Sequence, residues 1–153
     1  MSRFDELAER MAGYPSRELG AGATESEIVA AETALGLPIR GGYRQFLRRF
    51  GWGGVEDFEL VGLGSDVPPS LGLIRTAVSE RSLFEPHVPL HLLPIMNNGG
   101  GSYYCLDTAI HPEPAVVFWD HEGGEAQSPE VVFGDFVSWL HDELDERDRV
   151  HPI

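Results

Sequence analysis

The stretch GGGSYYCLD occupies residues 99–107, and the stretch VVFWDHE occupies residues 116–122. Aromatic and β-branched residues favour strands, so each stretch predicts a short strand that ends on acidic or polar residues. This arrangement places carboxylates and aromatic rings at the margin of a sheet, where a protein meets its partners. The two stretches therefore predict both a sheet and a binding surface.

A tight hairpin is predicted immediately before the first of these strands. Asn97 and Asn98 precede the three glycines, and these residue types adopt positive φ at little cost. The segment before them, residues 90–96, is apolar. Strands over 102–106 and 115–119 are expected to follow in meander order, and a further strand is predicted over 57–61.

Helices are predicted where apolar residues recur every three or four positions. The second helix opens at Thr24, whose hydroxyl forms a capping box with the carboxylate of Glu27. A weaker crossover helix follows Pro68-Pro69. The five apolar stripes are Phe4, Leu7, Ala8 and Met11; Ile28, Ala31 and Leu35; Tyr43, Phe46, Leu47 and Phe50; Leu71, Ile74 and Val78; and Phe133, Phe136, Val137, Leu140 and Leu144.

This order of elements predicts an α+β fold, in which N-terminal helices, a crossover helix and a C-terminal helix cover a mainly antiparallel meander sheet. We expect one domain over residues 24–146. An N-terminal helix and connector over 1–23 precede it, and a C-terminal tail over 147–153 follows. The acidic residues from Asp142 onward are expected to fray in solvent.

The chain is strongly acidic, with a formal net charge of −14, and all of its 11 basic residues are arginines. A negative surface repels a phosphate backbone, so we expect no nucleic-acid partner. The same charge speeds the encounter with a basic protein.

The N-terminal segment and the cysteine content favour a cytoplasmic protein. Met1 to Met11 carries three carboxylates instead of the basic and apolar regions of a signal peptide, and no apolar run approaches ~18 residues. Cys105, the one cysteine, is expected to be a buried, unreactive thiol. We therefore expect no membrane partner and a cytoplasmic location.

Metal, nucleophile and phosphate sites are not expected. His87 and His91 have helical spacing, but nearby prolines break the helix that would bring both imidazoles to one ion. Ser102 lacks the strand–turn–helix context of a nucleophile elbow. The glycines at 99–101 are not followed by the Gly-Lys-Ser/Thr of a phosphate loop. We therefore expect no cofactor.

Acid–base chemistry is favoured by one set of residues, Asp107, His111, Asp120 and His121, if they converge at one edge of the sheet. The alternative interpretation is that Asp107 caps a turn and that the histidines lie in surface loops. We adopt the second interpretation and expect no catalytic residue.

The candidate partner-binding residues are aromatic or acidic. Alternation along a strand sends Tyr103 and Tyr104 to opposite faces, so one is expected inside and the other free as an interface anchor. Trp52 lies between glycines in a turn, and the sequence does not decide whether it is buried. The predicted binding set is Trp52, Tyr103, Asp107, Asp120, His121 and Glu122.

Three groups of residues follow one another along the chain. They are Glu32, Leu35 and Gly36 with Tyr43, Phe46, Leu47 and the glycine-rich turn at 51–54; the glycine turn leading into 104–107 with 116–122 after it; and the closing Phe133, Phe136, Val137 and Leu140. In this order they resemble the SUKH superfamily, in particular the Smi/Knr family of cell-wall-assembly regulators and its bacterial relatives. The resemblance covers residues 24–144. The sequence departs from the family pattern at Ile39-Arg40, where Leu-Pro is usual, and at Gly51, where Asn is usual.

The resemblance implies the SUKH fold and a non-catalytic protein-binding domain. Bacterial members are implied to act chiefly as immunity proteins, which bind and neutralise a cognate toxin, often a nuclease. The acidic charge agrees with a basic toxin as the protein partner. The alternatives are a regulatory scaffold of the cell-wall-assembly type and an enzyme built on the four acid–base candidates. The sequence does not indicate an oligomeric state.

Overall fold

The computed structural model describes residues 1–150. They form the predicted α+β fold, with five α-helices packed against an antiparallel sheet. The helices are α1 (Arg3–Ala12), α2 (Glu25–Leu35), α3 (Gly41–Arg49), α4 (Leu73–Ser82) and α5 (Phe136–Val150). The strands are β1 (Glu18–Leu19), β2 (Gly53–Gly54), β3 (Leu92–Asn97), β4 (Tyr103–Asp107), β5 (Ala115–Trp119) and β6 (Val131–Phe133).

Strands β3 to β6 form an antiparallel meander in which each strand pairs with the next along the chain. The predicted hairpin between β3 and β4 is confirmed. The Asn97 side-chain oxygen accepts a hydrogen bond from Gly99 N–H (2.7 Å), and that of Asn98 accepts one from Gly100 N–H (2.9 Å). Gly99 has a φ of 95°, which a residue with a side chain rarely adopts. The loop chemistry therefore determines where β4 begins.

The sheet is covered on both faces, because alternate residues of each strand point to opposite sides. One face contributes Leu106 and Val116 to the main core beneath the helices. The other face forms a smaller cluster with the segment between α4 and β3, composed of Val88, Leu92, Cys105, Val117 and Trp119. Cys105 is buried as predicted, and burial raises the pKa of its thiol.

Aromatic residues of α3 and α5 form the centre of the main core. The ring centroid of Phe136 lies 5.5 Å from that of Tyr43, 6.0 Å from that of Phe46 and 5.8 Å from that of Trp139. These distances fall in the range of favourable aromatic pairs. The apolar stripes predicted for the two helices therefore face each other.

Capping boxes begin α1 and α2. At α2, Glu27 N–H donates to Thr24 Oγ1 (3.1 Å), and Thr24 N–H donates to the Glu27 carboxylate (2.9 Å), as predicted. Residues 1–23 contribute α1 to the main core and β1 to the pairing with β2. The predicted domain boundaries stay a prediction, and residues 151–153 of the predicted tail lie outside the described residues.

Polar contacts fasten α1 and the turn after it to the end of α5. The Arg10 guanidinium donates to Asp148 Oδ2 (2.9 Å), and the Tyr14 hydroxyl donates to Asp148 Oδ1 (2.7 Å). The helix continues to Val150. The expectation that the chain frays from Asp142 onward is therefore wrong for the described residues, because α1 supplies partners for the last turns of α5.

The Asp148 contacts predict a pH dependence of stability. Hydrogen bonds from Tyr14 and Arg10 to the ionised carboxylate lower the pKa of Asp148. A carboxyl group whose pKa is lower in the folded protein than in the unfolded chain stabilises the fold at pH values above its unfolded-state pKa. This contribution is lost as the pH falls through the folded-state pKa. We expect Asp148→Asn to lower the melting temperature near pH 7, and the difference from wild type to shrink below about pH 4. Thermal melts that give equal differences near pH 7 and near pH 3 would contradict this.

Three of the predicted elements differ from the structure. The crossover helix α4 buries Leu73 and Ala77, whereas Ile74 and Val78 of its predicted stripe are exposed. Residues 57–61 do not form a strand, because within this segment only Leu60 pairs with other strands, through one isolated bridge to Gly53 of β2 and one to Met96 of β3. Phe133 lies in β6 rather than in the closing helix, which begins at Phe136. Phe133 packs against the main core, and the buried residues of α5 face the same core. Its distance along the sequence from those residues therefore fits a helical pattern, although Phe133 itself lies in a strand.

Glu113 connects the starts of two helices from the loop between β4 and β5. Its carboxylate oxygens lie 3.2 and 3.3 Å from the Gly42 nitrogen at the start of α3, and it also accepts a hydrogen bond from the Phe136 N–H at the start of α5. Arg40, which precedes α3, provides no side-chain cap. Glu113 therefore caps both helices from a distant part of the chain. Burial raises the pKa of its carboxyl.

We expect Glu113→Ala to lower the free energy of unfolding by about 2 kcal/mol, because two helix N-termini lose an acceptor. Glu113→Gln keeps one acceptor oxygen and should lose less. Urea denaturation of both variants, with the exposed Glu130→Ala as control, measures the difference. Equal stability of Glu113→Ala and the control would contradict the capping role.

Candidate binding site

The predicted binding residues lie at both ends of β4. Tyr103 begins the strand and pairs with Trp119, whereas Asp107 ends it and pairs with Ala115. Residues 120–122 follow Trp119 and therefore lie at the Tyr103 end. A strand of 5 residues spans about 13 Å. The set is thus divided between two ends of the sheet, and most of it lies at the hairpin end.

Two of the acidic residues cap turns. Asp107 Oδ1 accepts a hydrogen bond from Ala109 N–H (3.0 Å), and Asp120 Oδ1 accepts one from Glu122 N–H (2.9 Å). Each hydrogen bond closes a turn in which the aspartate side chain accepts from the backbone N–H two residues further along the chain. The interpretation that Asp107 caps a turn is confirmed.

The four acid–base candidates do not converge. Asp107 and His111 belong to one end of the sheet, and Asp120 and His121 belong to the other. Within residues 1–150, no group of three or more His, Cys, Asp or Glu residues is placed to hold a metal ion. The geometry therefore provides no acid–base centre built on these four side chains.

His121 is held by Ser102, which is 3% exposed. The Ser102 hydroxyl oxygen accepts a hydrogen bond from the His121 backbone N–H (3.1 Å), and it also forms a hydrogen bond with the imidazole Nδ1 (2.7 Å). Both contacts join the start of β4 to the residues that follow β5. This serine stabilises the hairpin end, and its burial closes it to a substrate.

Trp52 is buried, at 7% exposure, and does not present its ring to a partner. Its indole N–H donates to Asp66 Oδ1 (3.0 Å), and this hydrogen bond lowers the pKa of Asp66. The structure thus resolves what the sequence left open, and it removes Trp52 from the exposed surface.

Tyr103 and Tyr104 lie on opposite faces of the sheet, as predicted, but both are half-buried. Tyr103 packs against the smaller apolar cluster. The ring centroid of Tyr104 lies 5.1 Å from that of Phe118 and 5.3 Å from that of Trp139. The expectation of one inner and one free tyrosine is wrong, because the sheet is covered on both sides.

A cleft of about 600 Å³ opens beside the hairpin. The tip of the β3–β4 hairpin, the segment 57–61 and α5 form its walls. We call it the hairpin cleft. Its polar and aromatic lining includes Asp57, Glu59, Tyr103, Tyr104, Glu143 and Arg147.

The hairpin cleft is acidic. Three carboxylates and one guanidinium line it, for a formal net charge of −2. The Arg147 guanidinium donates to Asp57 Oδ1 (2.9 Å) and to the Glu143 carboxylate, and its central carbon lies 5.0 Å from the centroid of the Phe58 ring. Glu59 is exposed and makes no ion pair within residues 1–150. Burial, followed by the nearby charge of Glu143, raises the pKa of Tyr104.

The sequence predicted the hairpin wall of this cleft, but it did not predict the walls formed by the segment 57–61 and by α5. Glu59 belongs to a segment predicted to be a strand, and Glu143 and Arg147 belong to the stretch predicted to fray. Glu143 and Arg147 are four residues apart, a spacing at which oppositely charged side chains commonly form an ion pair on a helix surface. Only the packing of α5 against the sheet brings these charges to the hairpin.

Fold and site together define a helix-covered meander domain with an acidic cleft at one end of its sheet. The family model SUKH_5, described as SMI1-KNR4 cell-wall, matches residues 4–145, and the chain belongs to this family. The match includes α1 from Phe4 onward, a helix that lies outside the resemblance over residues 24–144.

SUKH domains are commonly immunity proteins and are generally non-catalytic. A comparison with curated proteins gives no match. No helix within residues 1–150 is both long and apolar enough to cross a membrane.

Proposed function

We propose that this chain is an immunity protein, a non-catalytic domain that binds a basic protein toxin and neutralises it. The observation that carries the proposal is membership of the SUKH family, whose domains are commonly immunity proteins. The division of the acid–base candidates between two ends of the sheet supports a binding role over an enzymatic one.

The charge of the chain supports a basic partner. The formal net charge is −14, and a nuclease toxin needs a basic surface to hold phosphate. Opposite charges speed the encounter of two proteins and favour a matched partner over others. An acidic immunity protein would cover the basic surface that a nuclease uses.

We propose the hairpin end of the sheet as the centre of the binding surface. It combines the half-buried ring of Tyr103 with the exposed residues Asp120, His121 and Glu122. Asp107, at the other end of β4, would belong to the rim, since a stable interface buries about 1,600 Å² in total and extends beyond one end of a strand.

A regulatory scaffold is the second candidate, and the description of the matched family model, SMI1-KNR4 cell-wall, favours it. The genes beside this one discriminate between the two roles. A toxin gene as neighbour favours immunity, and a neighbourhood of wall-synthesis genes favours regulation.

The direct test is calorimetry with a catalytically inactive toxin domain encoded beside this chain. We expect a 1:1 complex with a dissociation constant below about 0.1 μM, and weaker binding as salt rises from about 0.05 to 0.5 M. Lack of binding at micromolar concentration to the proteins encoded beside it would refute the immunity role.

A further inference from the structure

We infer that the hairpin cleft is the docking site for an arginine side chain of the partner protein. This inference rests on the proposed function and adds the group that the site recognises. It is drawn from the charge, the aromatic walls and the existing contacts of the cleft.

The cleft already holds one guanidinium in its wall. Arg147 lies over the Phe58 ring and is bound by two carboxylates, those of Asp57 and Glu143. A planar guanidinium forms paired hydrogen bonds with carboxylates and stacks on aromatic rings, which the compact ammonium of lysine does less well. The same chemistry would receive a second guanidinium beside the first.

Two groups in the cleft are available to bind that second guanidinium. Glu59 is exposed, and within residues 1–150 its carboxylate forms no ion pair. The Tyr104 hydroxyl has no hydrogen-bond partner in the same part of the chain, although its ring is packed against Phe118 and Trp139. The formal net charge of the cleft is −2 with Arg147 already counted. The cleft therefore provides the Glu59 carboxylate as an acceptor and the Tyr104 ring as a fixed wall. Its negative charge attracts a cation.

The surroundings of the cleft favour a protein as the source of the arginine. The hairpin that forms one wall continues into Tyr103, and in its turn Gly101 lies beside the His121 imidazole, which a Cβ at this position would approach to 3.5 Å. The cleft is thus continuous with the surface proposed above. Arginines inserted into pockets are among the side chains that dominate interface energies. The volume, about 600 Å³, leaves room for a side chain carried on a loop.

The first test uses a probe that does not depend on the toxin. The peptide acetyl-Gly-Arg-Gly-amide, and its analogue with uncharged citrulline in place of arginine, are titrated into the labelled protein and followed by NMR. We expect the arginine peptide to shift the side-chain amides of Asn97 and Asn98 with a dissociation constant of about 1–10 mM, and the citrulline peptide to leave them unchanged. Equal shifts with both peptides, or no shifts at the cleft, would overturn the inference.

The matched variants are Glu59→Gln in the cleft and Glu9→Gln on α1. Both residues are exposed, and both substitutions remove one negative charge. We expect Glu59→Gln to weaken the binding of the arginine peptide about 3-fold and that of the toxin domain about 10-fold, and Glu9→Gln to change either by less than about 2-fold. Tyr104→Phe should also weaken both, since it removes the free hydroxyl.

The two proposals fail in different ways. If the toxin domain binds and Glu59→Gln and Glu9→Gln weaken it equally, the arginine site is wrong and the immunity role stands. If the arginine peptide binds the cleft and no neighbouring toxin binds the protein, the immunity role is wrong, and with it the assignment of the arginine to a toxin.

Discussion

Tyr43→Ala is expected to lower the free energy of unfolding by about 3–5 kcal/mol. Tyr43 is 0% exposed, and its ring packs against those of Phe46 and Phe136. Truncation leaves a cavity where α3 meets α5. Because these helices form the centre of the core, the neighbouring rings have little freedom to fill it.

Tyr43→Phe removes the hydroxyl and keeps the ring, so it measures the contribution of the hydroxyl to stability on its own. The hydroxyl donates to the carbonyl oxygen of Val61 (2.7 Å) in the buried interior. Removing it leaves that carbonyl without its partner, which costs about 1–3 kcal/mol. Tyr104→Phe is the matched control, since the Tyr104 hydroxyl has no protein partner within residues 1–150. Equal urea midpoints for the two phenylalanine variants would contradict this account.

Gly62→Ala is expected to destabilise the protein by about 3 kcal/mol or more. A Cβ at position 62 would overlap the carbonyl oxygen of Gly51. Gly62 has no room to retreat, because its N–H donates to the Leu71 carbonyl (2.8 Å) and its carbonyl accepts from Leu73 N–H (2.8 Å). Backbone contacts on both sides therefore require glycine.

Gly134→Ala provides the control for that substitution. No described atom lies within 4 Å of a Cβ at position 134, and this glycine does not have positive φ. We expect its stability to differ from wild type by less than about 0.5 kcal/mol. If thermal melts show Gly62→Ala to be as stable as Gly134→Ala, the close approach of the two backbone segments is wrong.

Local chemistry made much of the fold predictable. The capping box at Thr24 and the asparagine–glycine turn after Asn97 each act within a few residues, and both form as predicted. The strand over 115–119 was predicted with its observed limits. Apolar spacing located the five helices, but for α4 it selected the wrong face, because this helix buries Leu73 and Ala77 and leaves Ile74 and Val78 exposed.

The errors arise where distant parts of the chain decide the outcome. Phe133 matches a helical stripe but lies in an edge strand. Glu113 caps two helices, through Gly42, 71 residues before it, and Phe136, 23 residues after it, and the sequence gives no sign of this. The end of α5 is held by Arg10 and Tyr14 from the other end of the chain.

The candidate site was predicted in part for the same reason. The hairpin residues come from one continuous stretch, so sequence reasoning found them. The division of Asp107 from Asp120 depends on the antiparallel register of β4 and β5, which places the end of one strand beside the start of the next. The acidic wall of the hairpin cleft depends on how α5 packs.

The central claim is that this chain neutralises a basic toxin by binding it, without chemistry of its own. The most direct measurement is a titration of the active neighbouring toxin with purified protein, with toxin activity as the readout. We predict that activity falls in proportion to added protein and reaches zero at an equimolar ratio. Full activity in the presence of excess protein, or complete loss at a small fraction of an equivalent, as turnover would produce, would contradict the claim.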